Sequence, residues 1–148
     1  MTTARALPPS EVTRLSQVDY RALAEFRYQI RSFLSFSERA ARSHGVEPQQ
    51  HQLLLALKGL PEGRRPTIGT LAERLCVEHH TVVTLTDRLE RAGLVQRQRS
   101  AHDRREVLLA LTSRAEGVLG QLSSLHRDQL KTVAPGLHRA LASILAVE

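Results

Sequence analysis

The segment over residues 67–111 constrains the fold most, because its residue pattern changes period at Gly93. Before this glycine, apolar residues recur at helical spacing in two short runs separated by about three residues. After it, residues 94–99 and 107–111 are strand-like and flank a polar stretch. Two short helices in close succession and then a hairpin is the order of a winged helix-turn-helix. We therefore predict a helix-turn-helix at residues 67–92 and an arginine-rich wing at residues 94–111.

Helical patterns also precede this segment. Residues 1–16 contain two adjacent prolines and are expected to form a loose arm. A long helix is predicted from about residue 18 to 43, ending at Gly45, which suits a left-handed cap. A second helix is predicted to begin at Pro48, because proline is tolerated in the first helical turn.

A further helix is predicted after the wing, starting at Thr112 or Ser113. Pro135-Gly136 is expected to break it and leave a short last helix, since proline removes a backbone donor and glycine disfavours helix. The fold class is therefore mainly α, with a two-stranded β-wing and long terminal helices. No internal repeat or low-complexity segment divides the chain, which is expected to be one domain over residues 1–148.

Side chains that accept hydrogen bonds from backbone N–H groups predict where the later helices start. Thr67 or Thr70 is expected to cap the first short helix, and Glu73 has the capping-box spacing after Thr70. Ser113 and Glu116 show the same spacing at the start of the last long helix.

Charge favours a polyanionic partner without identifying one. The chain has a net charge of +6, and 19 of its 21 basic residues are arginine. Arginine suits bidentate contact with phosphate or guanine. The bias runs through the whole chain, however, so the position of the arginines is more informative than their number.

Several function classes have little support in the sequence. The single cysteine, Cys76, excludes an intramolecular disulfide and is expected in the turn between the two short helices, half-buried and without a redox role. The N-terminus has no signal-peptide pattern, so a cytoplasmic protein is expected. No catalytic motif stands out, and neither an enzyme nor a cofactor is predicted. No metal site is predicted either, because no i,i+4 pair occurs among the seven histidines: His44, His51, His79, His80, His102, His126 and His138.

The helix before Gly93 and the hairpin after it have the chemistry of a DNA-reading element. A recognition helix needs small or polar side chains on its outward face, and a basic element beside it must hold the DNA backbone. The hairpin places four arginines against one aspartate within nine residues, and an arginine at its tip is able to enter the minor groove. The predicted DNA-binding residues are His79, His80, Thr81, Thr84, Arg88, Arg97, Arg99, Asp103, Arg104 and Arg105.

These residues resemble the multiple-antibiotic-resistance regulator (MarR) family. The resemblance lies in residues 67–75, residues 81–95, Asp103-Arg-Arg105 and Leu111-Thr112, within an order of elements that matches from about residue 18 to the end. It implies a homodimer and a repressor, or less often an activator, released from DNA by a small ligand or an oxidant. In this motif, Asp103 would orient the wing and Arg105 would enter the minor groove.

The resemblance also implies a division of the chain. Residues 17–46 and 112–148 would form dimerisation helices, and residues 47–111 the DNA-binding lobe. One departure is the start of the recognition helix, where the family usually has serine or threonine followed by proline. This chain has Glu78 and His79 there, which makes the cap weaker and brings a carboxylate close to DNA.

The five aromatic residues, all on the first long helix, allow two interpretations. They pack a dimer core, or they line the effector pocket that the resemblance places between this helix, the second helix and the DNA-binding lobe. An aromatic or phenolic acid would suit aromatic walls with a basic anchor. The predicted ligand-binding residues are Arg27, Arg31, Phe33 and His51.

Three functional interpretations follow. The first is a sequence-specific dimeric regulator that binds a pseudo-palindromic operator with half-sites about 10 bp apart. The second is a nonspecific architectural nucleic-acid binder, in which charge matters and the polar helix face does not. The third is an enzyme or adaptor that retains a winged helix without contacting DNA. The first is preferred, because helix, turn and basic wing occur together at the required spacing.

Overall fold

The computed structural model describes residues 14–146, so residues 1–13 of the predicted arm lie outside the described range. Within that range the fold is mainly α with one antiparallel hairpin, as predicted. The elements are α1 (Gln17–Ser43), α2 (Pro48–Lys58), α3 (Ile68–Leu75), α4 (His79–Arg91), β1 (Val95–Arg99), β2 (Val107–Leu111) and α5 (Ser113–Leu145).

The two long helices α1 and α5 pack along each other, while α2, α3, α4 and the hairpin form a second group beneath them. One apolar core joins both groups, and in a chain with few aromatic residues it is built mainly from leucine, alanine and valine. Each large side chain buried here contributes about 1.5–3 kcal/mol of transfer free energy. The most deeply buried apolar side chains are Leu53, Leu54, Leu71, Val82, Leu89, Val95, Leu109 and Leu122.

Local capping explains both ends of α1. At the start, Ser16 Oγ accepts the N–H of Asp19 at 3.2 Å, and the Asp19 carboxylate accepts the N–H of Ser16 at 2.7 Å. Hydrogen bonds from the Ser16 side chain and backbone lower the pKa of Asp19. At the other end, Gly45 has a φ of +78°, a left-handed conformation that glycine adopts without the steric penalty of a side chain.

The predicted break at Pro135-Gly136 is wrong, because α5 runs without interruption from Ser113 to Leu145 with Pro135 inside it. Packing against α1 explains the difference. A Cβ atom on residue 136 would lie 2.8 Å from Gln29 Nε2 of α1, the end of a flexible side chain, so α1 and α5 are in close contact here. The missing backbone donor of Pro135, which in an isolated helix costs about 3 kcal/mol, is thus tolerated in a helix that packs along α1.

The start of α3 differs in part from its prediction. Of the two candidates, Thr67 is the N-cap, and its Oγ1 accepts the N–H of Thr70 at 3.1 Å. The capping box from Thr70 to Glu73 does not form, because Thr70 lies inside α3 and is not its N-cap. Glu73 forms an ion pair with Arg64 at 2.7 Å. Hydrogen bonding to Arg64 lowers the pKa of Glu73.

The start of α5 shows a similar change of partner. Thr112 is the N-cap, and its Oγ1 accepts the N–H of Ala115 at 3.2 Å. The same hydroxyl donates to the carbonyl of Gly93 at 2.7 Å, so one side chain joins α5 to the turn that precedes the wing. Glu116 does not complete a capping box, because it pairs with Lys58 of α2 at 2.9 Å.

We predict that Thr112→Ala lowers the free energy of unfolding by about 1–2 kcal/mol, because it removes the helix cap and leaves the Gly93 carbonyl without this donor. Thr112→Ser keeps the hydroxyl and is expected to retain most of that stability. Urea denaturation of the wild type and both variants measures the difference. Equal losses in the alanine and serine variants would show that the hydroxyl does not stabilise this junction.

Candidate nucleic-acid interface

The turn between α3 and α4 has the length predicted for a helix-turn-helix, with residues 76–78 separating the two helices. Cys76 ends α3 in a left-handed conformation with φ at +55°, which is uncommon for a residue other than glycine. The N–H of Val77 then donates to the carbonyl of Ala72 at 3.1 Å. Cys76 is exposed, which corrects the expected half-buried position.

One face of α4 is buried against the core and the other is exposed. Val82, Leu85 and Leu89 are buried at helical spacing, and the buried hydroxyl of Thr86 donates to the carbonyl of Val82 at 2.7 Å. The exposed residues of α4 include four of the predicted DNA contacts, and Thr81 lies half-buried at their edge. Those exposed contacts are His79, His80, Thr84 and Arg88.

The polar side chains at the start of α4 form few hydrogen bonds within the described part of the protein. Glu78 is the N-cap, but its side chain makes no capping hydrogen bond, in agreement with the weak cap expected from the sequence. Its exposed carboxylate lies at the positive end of the helix dipole. The hydroxyl of Thr84 donates to the carbonyl of His80 at 3.1 Å, which leaves its oxygen able to accept a hydrogen bond from a base.

The wing is an antiparallel hairpin in which Val95 pairs with Leu111 and Arg99 with Val107. Its tip is the seven-residue loop 100–106. Asp103 orders that loop, because its carboxylate accepts the N–H of Arg105 at 2.9 Å and its carbonyl accepts the N–H of Glu106 at 3.1 Å. This short turn suits the orienting role that the family motif implies for Asp103.

Two arginines at the tip remain available to a ligand. Arg104 and Arg105 are exposed, and neither forms an ion pair with another residue in the range 14–146. Arg99 is also exposed, and its guanidinium donates to the carbonyl of Arg104 at 3.4 Å. The tip therefore presents positive charge on an ordered backbone.

Arg97, also a predicted DNA contact, is engaged within the protein. Its guanidinium contacts Asp87 at 2.6 Å and Glu90 at 3.3 Å, and both carboxylates belong to α4. The hydrogen bond with Asp87 is the main reason that the pKa of Arg97 is raised. In this conformation Arg97 fixes β1 against α4 and does not face outward to a phosphate.

Asp87 and Glu90 were not predicted to be partners of the wing. Their spacing of three residues on one helix was the available signal, because it places two carboxylates on neighbouring turns. The helix and the wing are also joined by backbone contacts, with the N–H of Leu94 donating to the carbonyl of Leu89 at 2.9 Å. The polar face of α4 and the arginine tip thus belong to one connected unit.

The predicted ligand-binding residues do not all come together. Phe33 lies edge-on to the ring of His126, at 5.8 Å between centroids, and His51 stacks on the same ring at 4.9 Å. His51 is only 4% exposed, and burial together with the neighbouring His126 lowers the pKa of His51 to about 4. By contrast, Arg27 and Arg31 are exposed on α1.

His126 joins three helices at this cluster. Its Nδ1 faces the carbonyl of Leu122, which only accepts, so Nδ1 is the donor and carries the proton. Its Nε2 lies 2.6 Å from Ser37 Oγ of α1, and in the neutral ring this nitrogen accepts from the hydroxyl. No sequence pattern indicated His126 as a partner of His51, because the two residues lie 75 positions apart.

Among residues 14–146, no group of three or more histidine, cysteine or acidic side chains is arranged to hold a metal ion. None of the helices in this range combines the length and the apolar character needed to span a membrane.

Comparison with known proteins agrees with this geometry. A family model described as the MarR family matches residues 44–106, which include all of α2, α3, α4 and β1 and the loop of the wing. The uncharacterized HTH-type transcriptional regulator YkoM of Bacillus subtilis (strain 168) is 28% identical over 120 residues, which cover 79% of this chain and 76% of that protein. Over residues 44–106 the chain is therefore similar to the MarR family. It has the winged helix-turn-helix fold of transcription regulators of that family.

Solved structures of MarR-family proteins show the same fold as this chain. AbsC, a MarR family transcriptional regulator from Streptomyces coelicolor, has a TM-score of 0.69 at 20% identity, with 82% of each chain covered. A mutant of S. aureus MepR bound to an oligodeoxyribonucleotide has a TM-score of 0.63 at 20% identity, covering 82% of this chain and 84% of that one. At these identities the likeness concerns the fold alone.

Proposed function

We propose that this chain is a regulator of the MarR family, and that it acts as a homodimeric, sequence-specific repressor in the cytoplasm that a small ligand releases from a pseudo-palindromic operator. The observation that carries the proposal is the exposed polar face of α4 beside an ordered tip, whose Arg104 and Arg105 form no ion pair with another residue of the range 14–146. In this arrangement α4 reads bases in the major groove. Arg105 enters the adjacent minor groove, where the negative potential attracts it.

Exposed apolar side chains on the two long helices support the homodimer. Soluble monomers rarely expose large contiguous apolar patches. One groove lies between the start of α1 and the end of α5. It is lined by Leu15, Asp19, Leu23 and Ile144. We propose that a second copy of the chain covers this region. The exposed apolar residues on or beside α1 and α5 are Leu15, Val18, Tyr20, Leu23, Tyr28, Leu34, Leu125, Leu130, Leu141 and Leu145.

The proposed effector is an aromatic or phenolic acid that binds near Phe33. Since the pKa of His51 is lowered to about 4, this residue is neutral near pH 7 and does not attract a carboxylate by charge. The proposed basic anchor is therefore Arg27 or Arg31 of α1, which are exposed and are not gathered with Phe33 and His51 in the described chain. Binding there would change the separation of the two recognition helices and break their match to the operator spacing.

Selection of genomic fragments with the purified full-length protein, followed by footprinting, tests the proposal. We expect a protected pseudo-palindrome whose half-sites lie about 10 bp apart. Inserting about 5 bp between the half-sites turns them to opposite faces of the duplex and is expected to abolish cooperative binding. An operator with the same number of changed bases outside the half-sites is the matched control.

Competition with excess random DNA distinguishes the proposed regulator from the main alternative, a nonspecific architectural nucleic-acid binder. A sequence-specific regulator keeps its operator complex under these conditions, whereas an architectural binder loses it. Enrichment of no fragment, or equal affinity for the operator and its spaced variant, would contradict the proposed dimeric repressor.

A further inference from the structure

Arg65 lies in the loop between α2 and α3, yet its side chain contacts both ends of the wing loop. Its Nη2 donates to Ser100 Oγ at 2.9 Å, where β1 ends. Its Nη1 lies 2.7 Å from a carboxylate oxygen of Glu106, immediately before β2 begins. One guanidinium therefore spans the base of the seven-residue tip and ties it to the helix-turn-helix.

Both partners of Arg65 are shielded and belong to the internal bonding of the tip. Ser100 is 5% exposed, and its hydroxyl oxygen also receives the N–H of His102 at 3.2 Å. The N–H of Ser100 donates to the carbonyl of Glu106 at 3.0 Å, which closes the loop. The Glu106 side chain is 22% exposed, so its ion pair with Arg65 is partly protected from water.

The backbone next to Arg65 is joined to the same hairpin. The carbonyl of Pro66 accepts the N–H of Leu109 at 2.8 Å, and Thr67 forms an isolated antiparallel bridge with Leu108. These bonds hold the loop against β2 whatever side chain residue 65 carries. Changing Arg65 is therefore expected to loosen the tip and leave the lobe folded.

We propose that Arg65 is a positioning residue for DNA binding, which holds the tip so that Arg105 meets the minor groove without a further ordering cost. The inference rests on the proposed role of Arg105. Its physical basis is that a loop ordered before binding loses less conformational entropy in the complex than a mobile loop does. Arg65 would then raise affinity without touching DNA.

The alternative is that Arg65, whose side chain is 48% exposed, contacts a phosphate itself. Glu106→Gln separates the two roles. If Arg65 acts through the tip, this change weakens operator binding, although it removes a negative charge from the DNA-binding face. If Arg65 contacts a phosphate, the same change frees the guanidinium and leaves affinity equal or higher.

The experiment measures operator affinity for Arg65→Gln, Glu106→Gln and the matched control Arg64→Gln, each alone and combined with Arg105→Ala. Arg64 is adjacent and has the same charge, but its ion-pair partner is Glu73 of α3. We expect Arg65→Gln and Glu106→Gln each to lower affinity about fivefold to tenfold, a range typical of losing a small ordering contribution. We expect Arg64→Gln to change it less than twofold.

The double variants provide the decisive result. A positioning role predicts that Arg65→Gln and Glu106→Gln have almost no further effect once Arg105 is alanine, because the contact they support is already lost. Footprints of the single variants should lose protection at the outer minor groove and keep it over the bases that α4 reads. Additive effects, or binding unchanged by Glu106→Gln, would overturn the inference.

Failure of this inference is distinguishable from failure of the proposed function. If Arg105→Ala weakens binding while Arg65→Gln and Glu106→Gln do not, only the positioning role is wrong. If Arg105→Ala has no effect, the proposed wing contact fails and the inference fails with it. Thermal unfolding of every variant identifies losses of affinity that arise from an unfolded lobe, and Glu106→Gln remains a test if Arg65→Gln proves unstable.

Discussion

Replacing Arg105 with alanine is expected to weaken operator binding about 100-fold in the dimer, because each of two wings loses about 1.4 kcal/mol of minor-groove contact. The arginine is exposed and has no ion-pair partner in the range 14–146, so its loss does not leave an internal charge unmatched. Asp103 continues to order the backbone of the tip through its contacts at 2.9 and 3.1 Å.

The measurement is a titration of labelled operator at fixed salt, since affinity for DNA falls steeply with ionic strength. Arg127→Ala is the matched control, because Arg127 is an exposed arginine of α5 with no described ion pair and lies outside the wing. It removes the same charge and is expected to change affinity less than about threefold. Equal losses in the two variants would mean that net charge, and not the wing tip, determines binding.

Acidification is expected to destabilise the fold through His51. Its pKa is lowered to about 4 in the folded chain, from a usual value of 6.5, because the ring is buried and stacked on His126. Between these two values the unfolded chain binds a proton that the folded chain resists. The stabilising contribution is therefore complete above about pH 6.5 and decreases as the pH falls, by about 2.5 kcal/mol at pH 4.5.

Urea denaturation at several pH values between 7.5 and 4.5 measures this effect. Carboxylates also titrate near this pH range, and the comparison with His51→Gln separates the contribution of His51 from theirs. The glutamine variant is expected to show a flatter dependence of the unfolding free energy on pH, whatever its stability at pH 7.5. His138→Gln, which changes an exposed histidine of α5, should keep the wild-type slope. Parallel curves for the wild type and His51→Gln would show that His51 titrates normally in the folded chain.

The roles assigned to arginines changed most between sequence and structure. Four wing arginines were predicted to contact DNA as one group, but Arg97 pairs with Asp87 and Glu90 of α4. Arg65 had no predicted role, and it spans the base of the wing through Ser100 and Glu106. Charge patterns locate a basic hairpin, but they do not distinguish an arginine that faces DNA from one that holds the hairpin in place.

The sequence by itself determined the features that depend on neighbouring residues. The change of period at Gly93 located the helix-turn-helix and the wing, and the predicted strands agree with β1 and β2 to within about one residue. Threonine and serine residues indicated the N-caps of α3 and α5 to within a few positions. These signals work because helix periodicity and capping act over a few residues of the chain.

Only the tertiary structure decided the features that depend on distant residues. Gln29 of α1 lies against Gly136, where α5 continues past Pro135. His51, an expected ligand contact, is stacked on His126 and is therefore not at the surface. Arg65 reaches Ser100 across 35 residues of sequence. The physical reason is common to all three. Packing and ion pairs depend on which side chains are close in space, and local propensity does not indicate which distant residue will lie next to a given side chain.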